Sequence, residues 1–485
     1  MSGIPTSFQD LFLTAAPAFT QPGLQNFMVL ISGWICCTGR HTLTGILRAV
    51  WPQARRKHFS AYYRFLASGQ WALDAVGRVL LYLCLPFVPE EQILAIVDDT
   101  LNKKSGPHLF GAGMHHDASR STYGRNTAAG RKVCFSYGHR FVVLSIWVAL
   151  PWNPIRGVAL PVLFRLYRSK KRTPPSQYRK ATELALEMIG VLASWLPADR
   201  RLLVEGDCEY ACKTVVRGLP EGVDFIGPVR KEAALYELPP TVNGSKTSSR
   251  RRARRGAPRR RGRRLPTLKQ WAEETSSGSR FRRGTLSIYG REVPAQLKDR
   301  ICLWYRVAYR RPVRVVLVRD PRKHYEDQGY FSTDLSLAPE QIVQRFARRW
   351  SLEVTFRDTK QFLGLEDPQN GWWRRRKNQR RRKKKAGPQP HATRGAQAVE
   401  RTAPLALVAY TFVHLWYFEH GRVRQDVRLA RAQAPWYTNK RWPSFQDMLT
   451  AARREFWRDT LSRHLPRNRV SQQIRSGLAL LGIPA

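Results

Sequence analysis

At three places in this 485-residue chain acidic residues stand where their side chains could gather hard cations. Asp98 and Asp99 follow a short apolar run, Ile93-Leu94-Ala95-Ile96-Val97. Asp207 follows a second one, Leu202-Leu203-Val204, by way of Glu205 and Gly206. Glu353 belongs to a segment of different pattern, Arg345-Phe346-Ala347-Arg348-Arg349-Trp350-Ser351-Leu352-Glu353, which continues to Lys360. Two-metal phosphoryl transfer needs converging carboxylates that hold two ions about 3.5–4 Å apart. A strand end fixes a carboxylate and leaves its oxygens accessible. A helix packed across the strand ends can bring the third. At 100° per residue, Glu353 is offset by about 40° from Arg349 and by about 20° from Phe346 and Lys360, so all four share one stripe. Leu352, Phe356 and Leu363 make a neighbouring apolar stripe that can pack on a sheet. The same spacing also suits a plain surface ion pair, Arg349–Glu353 at i,i+4. The residues alone leave both readings open.

The elements that must position these side chains can be read from periodicity. Residues 93–97 are a strand buried on both faces. Residues 132–138 and 141–150 read as two more, joined by a turn at Gly138-His139. An amphipathic helix covers Ser176–Leu196. A strand at 202–204, a helix through Val216 and a strand at Asp224–Val229 follow. This order predicts an α/β core with some parallel pairing, in which ligands sit beyond the carboxyl ends of strands. Further on, Ile301–Val307 and Val313–Val318 look like strands, 338–363 one long helix, and Val399–Phe418 and Ser444–Leu461 two more helices. Before the core, Ser7–Ala16, Gly23–Cys37, Thr42–Ala49, Ser60–Leu66 and Trp71–Leu83 carry helical spacing, with Arg40, Arg48, Arg55, Arg56, Lys57 and Arg64 among them.

The formal net charge is +47, from 83 Lys and Arg against 36 Asp and Glu. A charge of that size predicts a polyanionic partner, nucleic acid first, because phosphate neutralisation releases counterions. Arg250–Arg264 holds 10 arginines in 15 residues, and Arg374–Lys385 holds 10 cations in 12. Neither tract can bury a core, and together they supply less than half of the excess. Trp350, Trp372 and Trp373 are candidates for stacking on unpaired bases, with a core-facing position the other reading of Trp350. No apolar run reaches 18 residues and the N-terminus lacks a signal-peptide pattern, so a soluble intracellular protein with no membrane contact is expected. The seven cysteines are odd in number and irregularly spaced, which predicts buried free thiols, Cys208 and Cys212 included. His115-His116-Asp117 lies in a Ser/Gly-rich stretch with no partner for a metal role.

Residues 342–369, IVQRFARRWSLEVTFRDTKQFLGLEDPQ, resemble the signature region of bacterial insertion-sequence DDE transposases, Y-(2)-R-(3)-E-(6)-K. Here it runs Phe346-(2)-Arg349-(3)-Glu353-(6)-Lys360, followed by Leu363-Gly364, with Phe in place of the motif Tyr. Asp98-Asp99-Thr100 is similar to the first-aspartate block, D-x-T, which favours Asp98 over Asp99. Asp207-Cys208-Glu209-Tyr210 matches the second block, D-x-x-Y. Tyr330–Asp334 resembles the strand before the last helix. The resemblance spans roughly residues 90–420.

It implies a ribonuclease-H-like mixed sheet with an insertion domain. With the N-terminal part read from its helical spacing and interspersed cations, the expected layout is a helical, DNA-end-binding domain (1–88), for which a helical packing module with a solvated basic face is the other reading, a first part of the catalytic core (89–230), an insertion domain with the Arg-rich loop (231–336), a closing core helix (337–370), a basic linker (371–397) and a C-terminal helical region (398–485). It also implies that Asp98, Asp207 and Glu353 are catalytic and ligate two Mg²⁺ ions, with Mn²⁺ as a substitute. Arg349 and Lys360 would contact the DNA backbone, and Phe346 would retain stacking. The expected partners are double-stranded transposon ends and target DNA, engaged by a homodimer in a synaptic complex at a prokaryotic nucleoid. The competing expectation is a catalytically inactive, transposase-derived DNA-binding protein. An RNA-associated protein has less support, since no aromatic-plus-basic RNA-binding strand motif occurs.

Overall fold

The apolar run at 93–97 is the start of a longer strand, β1 (Gln92–Lys103), with Ile93–Val97 buried on both faces. The computed structural model describes residues 4–105, 109–121, 132–239, 260–274, 280–322, 324–368 and 393–464. The next strands are β2 (Gly113–His116), β3 (Phe135–Leu150), β4 (Asn153–Tyr167), β5 (Arg201–Gly206) and β6 (Val223–Val229). They are followed by β7 (Arg282–Ile288), β8 (Arg291–Leu303), β9 (Pro312–Arg319) and β10 (Gln328–Ser332). All ten form one sheet in the order β2-β3-β1-β5-β6-β10-β9-β8-β7, with β4 also paired to β3. β1, β5 and β6 run parallel, and the remaining pairs are antiparallel. A large mixed sheet of this kind, covered by helices, is consistent with the expected ribonuclease-H-like core.

Four strands, β1 to β4, precede the helix where three were expected; the strand, helix, strand that follow are as expected. Residues 135–150 are one strand, and the turn expected at Gly138-His139 does not exist. Gly138 is a mid-strand residue between Lys103 of β1 and Gly113 of β2. A Cβ there would stand 2.2 Å from the Asn102 carbonyl oxygen. The glycine thus marks a close backbone approach, which a sequence cannot distinguish from a turn. The true reversal lies at Pro151-Trp152, and β4 was missed. Gly138→Ala is expected to cost roughly 2–3 kcal/mol, as overpacking against backbone does; urea unfolding would measure it.

Other differences are smaller. β8 begins ten residues before the expected 301, and β7 was not foreseen. Through β7 to β10 the segment 231–336 continues the central sheet. The helix expected at 338–363 is two helices, Pro339–Arg348 and Trp350–Phe362, interrupted at Arg349. His115 and His116 belong to β2, not to a loop. Cys36, Cys37, Cys84 and Cys302 are buried free thiols, whereas Cys208 is exposed because it begins the turn after β5. Trp372, Trp373 and the tract at 374–385 lie outside the described residues, as does most of the tract at 250–264.

The five expected N-terminal helices are present between Thr6 and Cys84. They share one apolar core with the helix Thr393–His420 and the sheet. Phe8 stacks on Trp416 at 4.8 Å, and Phe12 meets Phe412 edge-on at 5.3 Å. Among the described residues no helix is long and apolar enough to cross a membrane.

Candidate active site at the strand ends

Asp98 does not end its own strand. It ends the stretch of β1 that has a parallel neighbour. The last parallel partners are Val97 and Gly206, so the next residue on each strand, Asp98 and Asp207, emerge side by side. On its other side β1 continues along β3, with Asp98 opposite Val143. Backbone pairing on one flank and a free edge on the other hold the Asp98 carboxylate firmly while leaving it a way out. Gly206 is confined, since a Cβ there would stand 2.8 Å from Tyr210 and 3.0 Å from Phe225.

Asp207 begins a tight turn, its Oδ1 accepting from the Glu209 amide at 2.8 Å and more weakly from the Tyr210 amide at 3.4 Å. That turn drops the Tyr210 ring into the core, fully buried, where its hydroxyl donates to Asp99 Oδ2 at 3.2 Å. Arg140 of β3 also pairs with Asp99, and it reaches Glu209 at 2.7 Å. Asp99 is thereby committed to Tyr210 and Arg140, while Asp98 turns toward the helix. The D-x-x-Y spacing has a local reason: its Tyr ties the second-aspartate turn back to the first strand.

The helix Trp350–Phe362 buries Leu352, Phe356 and the following Leu363, as the apolar stripe predicts. Thr355 donates to the Ala159 carbonyl of β4 at 2.8 Å. The turn after it is pinned from three sides. Trp34 Nε1 donates to the Leu363 carbonyl at 3.0 Å, the His41 amide donates to Asp367 at 2.8 Å, and Lys104 Nζ donates to the Glu366 carbonyl at 2.6 Å. Gly364 has φ +55, and a Cβ there would meet Asp367 and His41 at 2.3 and 2.7 Å, which explains the glycine after Leu363.

So held, the helix sets Arg349 over the strand ends. Its Nη1 donates to Asp98 Oδ2 and its Nη2 to Glu353 Oε1, both at 2.6 Å. Burial works against the Arg349 charge, and Asp98, Glu353 and Asp207 together outweigh it and keep the group protonated. Burial pushes the Asp98 carboxyl up to about 8; Arg349 opposes this, and Asp99 and Asp207 add to it. Two steps back along β5, Glu205 is fully buried, and neither of its oxygens has a hydrogen-bond partner among the described residues. Burial raises its carboxyl well above the ordinary range, against the pull of Arg348, Arg345 and Arg349.

The surface ion pair Arg349–Glu353 is therefore present, but it is half of a bridge to Asp98. Among the described residues no three His, Cys, Asp or Glu side chains stand close enough to hold a metal ion. The donors nevertheless fit divalent metal in kind. They are hard carboxylate oxygens, they include a carboxylate buried beside two others, and they already surround one positive charge.

The remaining expected residues are spread along the stripe. Lys360 Nζ donates to the Leu101 carbonyl of β1 at 2.8 Å and lies 3.7 Å from Glu366; burial lowers its pKa. Phe346 packs on Tyr330 of β10, ring centroids 4.7 Å apart, and the Arg349 guanidinium lies 5.9 Å from the centre of its ring. Trp350 is 51% exposed and so not core-facing. Sequence reasoning missed Arg140, Glu205 and Tyr330. Arg140 fell beside the supposed turn at 138–139. Glu205 was read only as part of the link to Asp207, although an acid between Val204 and Gly206 at the end of an apolar strand is a signal.

Residues 17–292 match the family described as DDE superfamily endonuclease, and residues 302–379 match the one described as Archaeal putative transposase ISC1217. The first match covers more than half of the chain, which therefore belongs to the DDE endonuclease superfamily. The second suggests a transposase. No curated protein matches the chain.

Proposed function

We propose that the protein is a DNA transposase. It cleaves the ends of its own element and joins the resulting 3′-OH groups to target DNA. The observation that carries this reading is the Arg349 bridge from Asp98 to Glu353, with Asp207 next to Asp98 in the sheet register. Asp98, Asp207 and Glu353 are the residues that would hold Mg²⁺, or Mn²⁺ in its place. A pair of such ions held there would supply activation of the attacking oxygen and stabilisation of the leaving one. The chain's own work is to fix these carboxylates, to exclude competing geometry and to present cations to phosphate. Arg349 and Lys360 contact the backbone beside the scissile bond, and Phe346 and Trp350 offer faces to sugar or base. Water attacks the phosphorus, the bond to O3′ breaks, and a 3′-OH and a 5′-phosphate result. The 3′-OH then attacks a target phosphorus and displaces a new 3′-OH there. Two ends must be held together, so the working form is a homodimer on DNA at the nucleoid. Residues 1–88, with their interspersed arginines, read the ends.

A supercoiled plasmid carrying the coding sequence with its flanking DNA tests the reading. Nicks at the element ends are expected with Mg²⁺ or Mn²⁺ and none with EDTA. Tight, salt-sensitive binding without nicks in either metal would favour the second reading, a DNA-binding relative without catalysis. The Phe at position 346 is the observation behind that reading.

A further inference from the structure

The signature stripe carries Phe346 where its motif has a tyrosine, and the nearest aromatic partner of that ring is itself a tyrosine. Tyr330 sits on β10, paired with Pro228 of β6 and Val316 of β9. Its neighbour Phe331 points to the opposite face, fully buried against Phe225. Tyr330 is thereby turned to the face that carries the helices at 339–362. Its ring lies 4.7 Å from Phe346 and tilted by 43°, three residues before the arginine that bridges Asp98 and Glu353.

We propose that Tyr330 is a DNA-positioning residue, its hydroxyl supplying from β10 the polar contact that Phe346 cannot make from the helix. The inference rests on the DNA-processing reading above. A phenol is amphipathic: its ring fills the gap beside Phe346 while its oxygen needs a polar partner. The Arg349 charge acts on Tyr330 and lies over the Phe346 ring that Tyr330 touches, so a phosphate drawn to Arg349 arrives within the reach of Tyr330. Burial raises the Tyr330 pKa, with Arg349 opposing, so the group is a protonated donor at neutral pH. A phosphate oxygen accepting from a hydroxyl fixes backbone register without reading sequence.

The test is a swap. Tyr330→Phe, Phe346→Tyr and the double variant are compared with the native protein on a fluorescent duplex taken from the DNA flanking the coding sequence. Affinity is read by anisotropy in EDTA, and cleavage of the same duplex in Mg²⁺. Tyr330→Phe is expected to weaken binding about tenfold, as loss of one hydrogen bond to a charged group does. Its melting temperature should not change. Adding Phe346→Tyr is expected to restore binding to within about threefold. Native binding in Tyr330→Phe, or a loss that Phe346→Tyr does not repair, would overturn the proposal. If the native protein binds but does not cut, the catalytic reading fails while the binding arms still decide the role of Tyr330. If it does not bind DNA at all, both fall together.

Discussion

Asp98→Asn is expected to lose Mg²⁺-dependent DNA cleavage by about a thousandfold or more while folding at least as stably as the native protein. The loss follows from removing an anionic ligand whose metal supplies several kcal/mol of transition-state stabilisation, at tenfold per about 1.4 kcal/mol. The stability effect has the opposite sign. The Asp98 carboxyl is raised to about 8 by burial, with Asp99 and Asp207 adding their charges. Between the ordinary carboxyl range and about 8 the folded chain holds this proton and the unfolded chain does not. Stability from this group is therefore present at low pH and lost as pH rises toward 8. Asn carries no such charge, so the variant should lack that decline. Melting curves at pH 6 and pH 8 in EDTA, beside a cleavage assay, would read both effects. A variant that still cuts, or that melts far below the native protein, contradicts the account of Asp98.

Arg349→Ala should have the second largest effect, and it should depend on metal. The guanidinium is the shared partner of Asp98 and Glu353, with Asp207 in its field. Above about pH 8, where Asp98 is ionised, its loss leaves a largely buried carboxylate facing like charges; below that it removes the hydrogen bond to Asp98 and the cationic partner of Glu353. Breaking such a pair costs about 3–5 kcal/mol when fully buried; with side-chain exposures of 18% for Arg349 and 14% for Asp98, roughly 2–4 kcal/mol is expected here. A divalent cation that binds the same carboxylates returns stability by mass action, about 2.7 kcal/mol at a hundredfold over Kd. The melting temperature in EDTA should fall, and Mn²⁺ should raise it more in the variant than in the native protein. Equal stability of the two proteins in EDTA would mean that Arg349 does not hold the carboxylates together.

Much of this arrangement was legible in the sequence. A continuous apolar run of five residues ending in Asp-Asp-Thr has the length and character of a doubly buried strand, and so has the parallel partner at 202–206. The stripe of Phe346, Arg349, Glu353 and Lys360 was drawn on one continuous helix; the chain is interrupted at Arg349, so only Glu353 and Lys360 share a helix, yet the contacts still run from Tyr330 of β10 past Asp98 to Leu101 of β1. What could not be read is what depends on pairing. Gly138 looks like a turn because glycine serves turns and close strand approaches alike. β4 hid behind Pro154 and Pro161, residues that argue against a strand unless it lies at an edge. The choice between Asp98 and Asp99 is a matter of which face each residue of a strand presents. Only the partners Arg140 and Tyr210 of the one and Arg349 of the other display it. Arg349 itself was expected to face DNA, and its bridging of two carboxylates needs the register of β1 against β5.

The most direct test of the central claim is single-turnover cleavage of a duplex containing the junction between the element end and its flank. Native protein and Glu353→Gln are compared, each with Mg²⁺ and with EDTA. Cutting at the junction by the native protein in Mg²⁺ alone, and binding without cutting by Glu353→Gln, are the expected results. Cleavage of equal rate by the variant, or cutting by the native protein in EDTA, would contradict that claim.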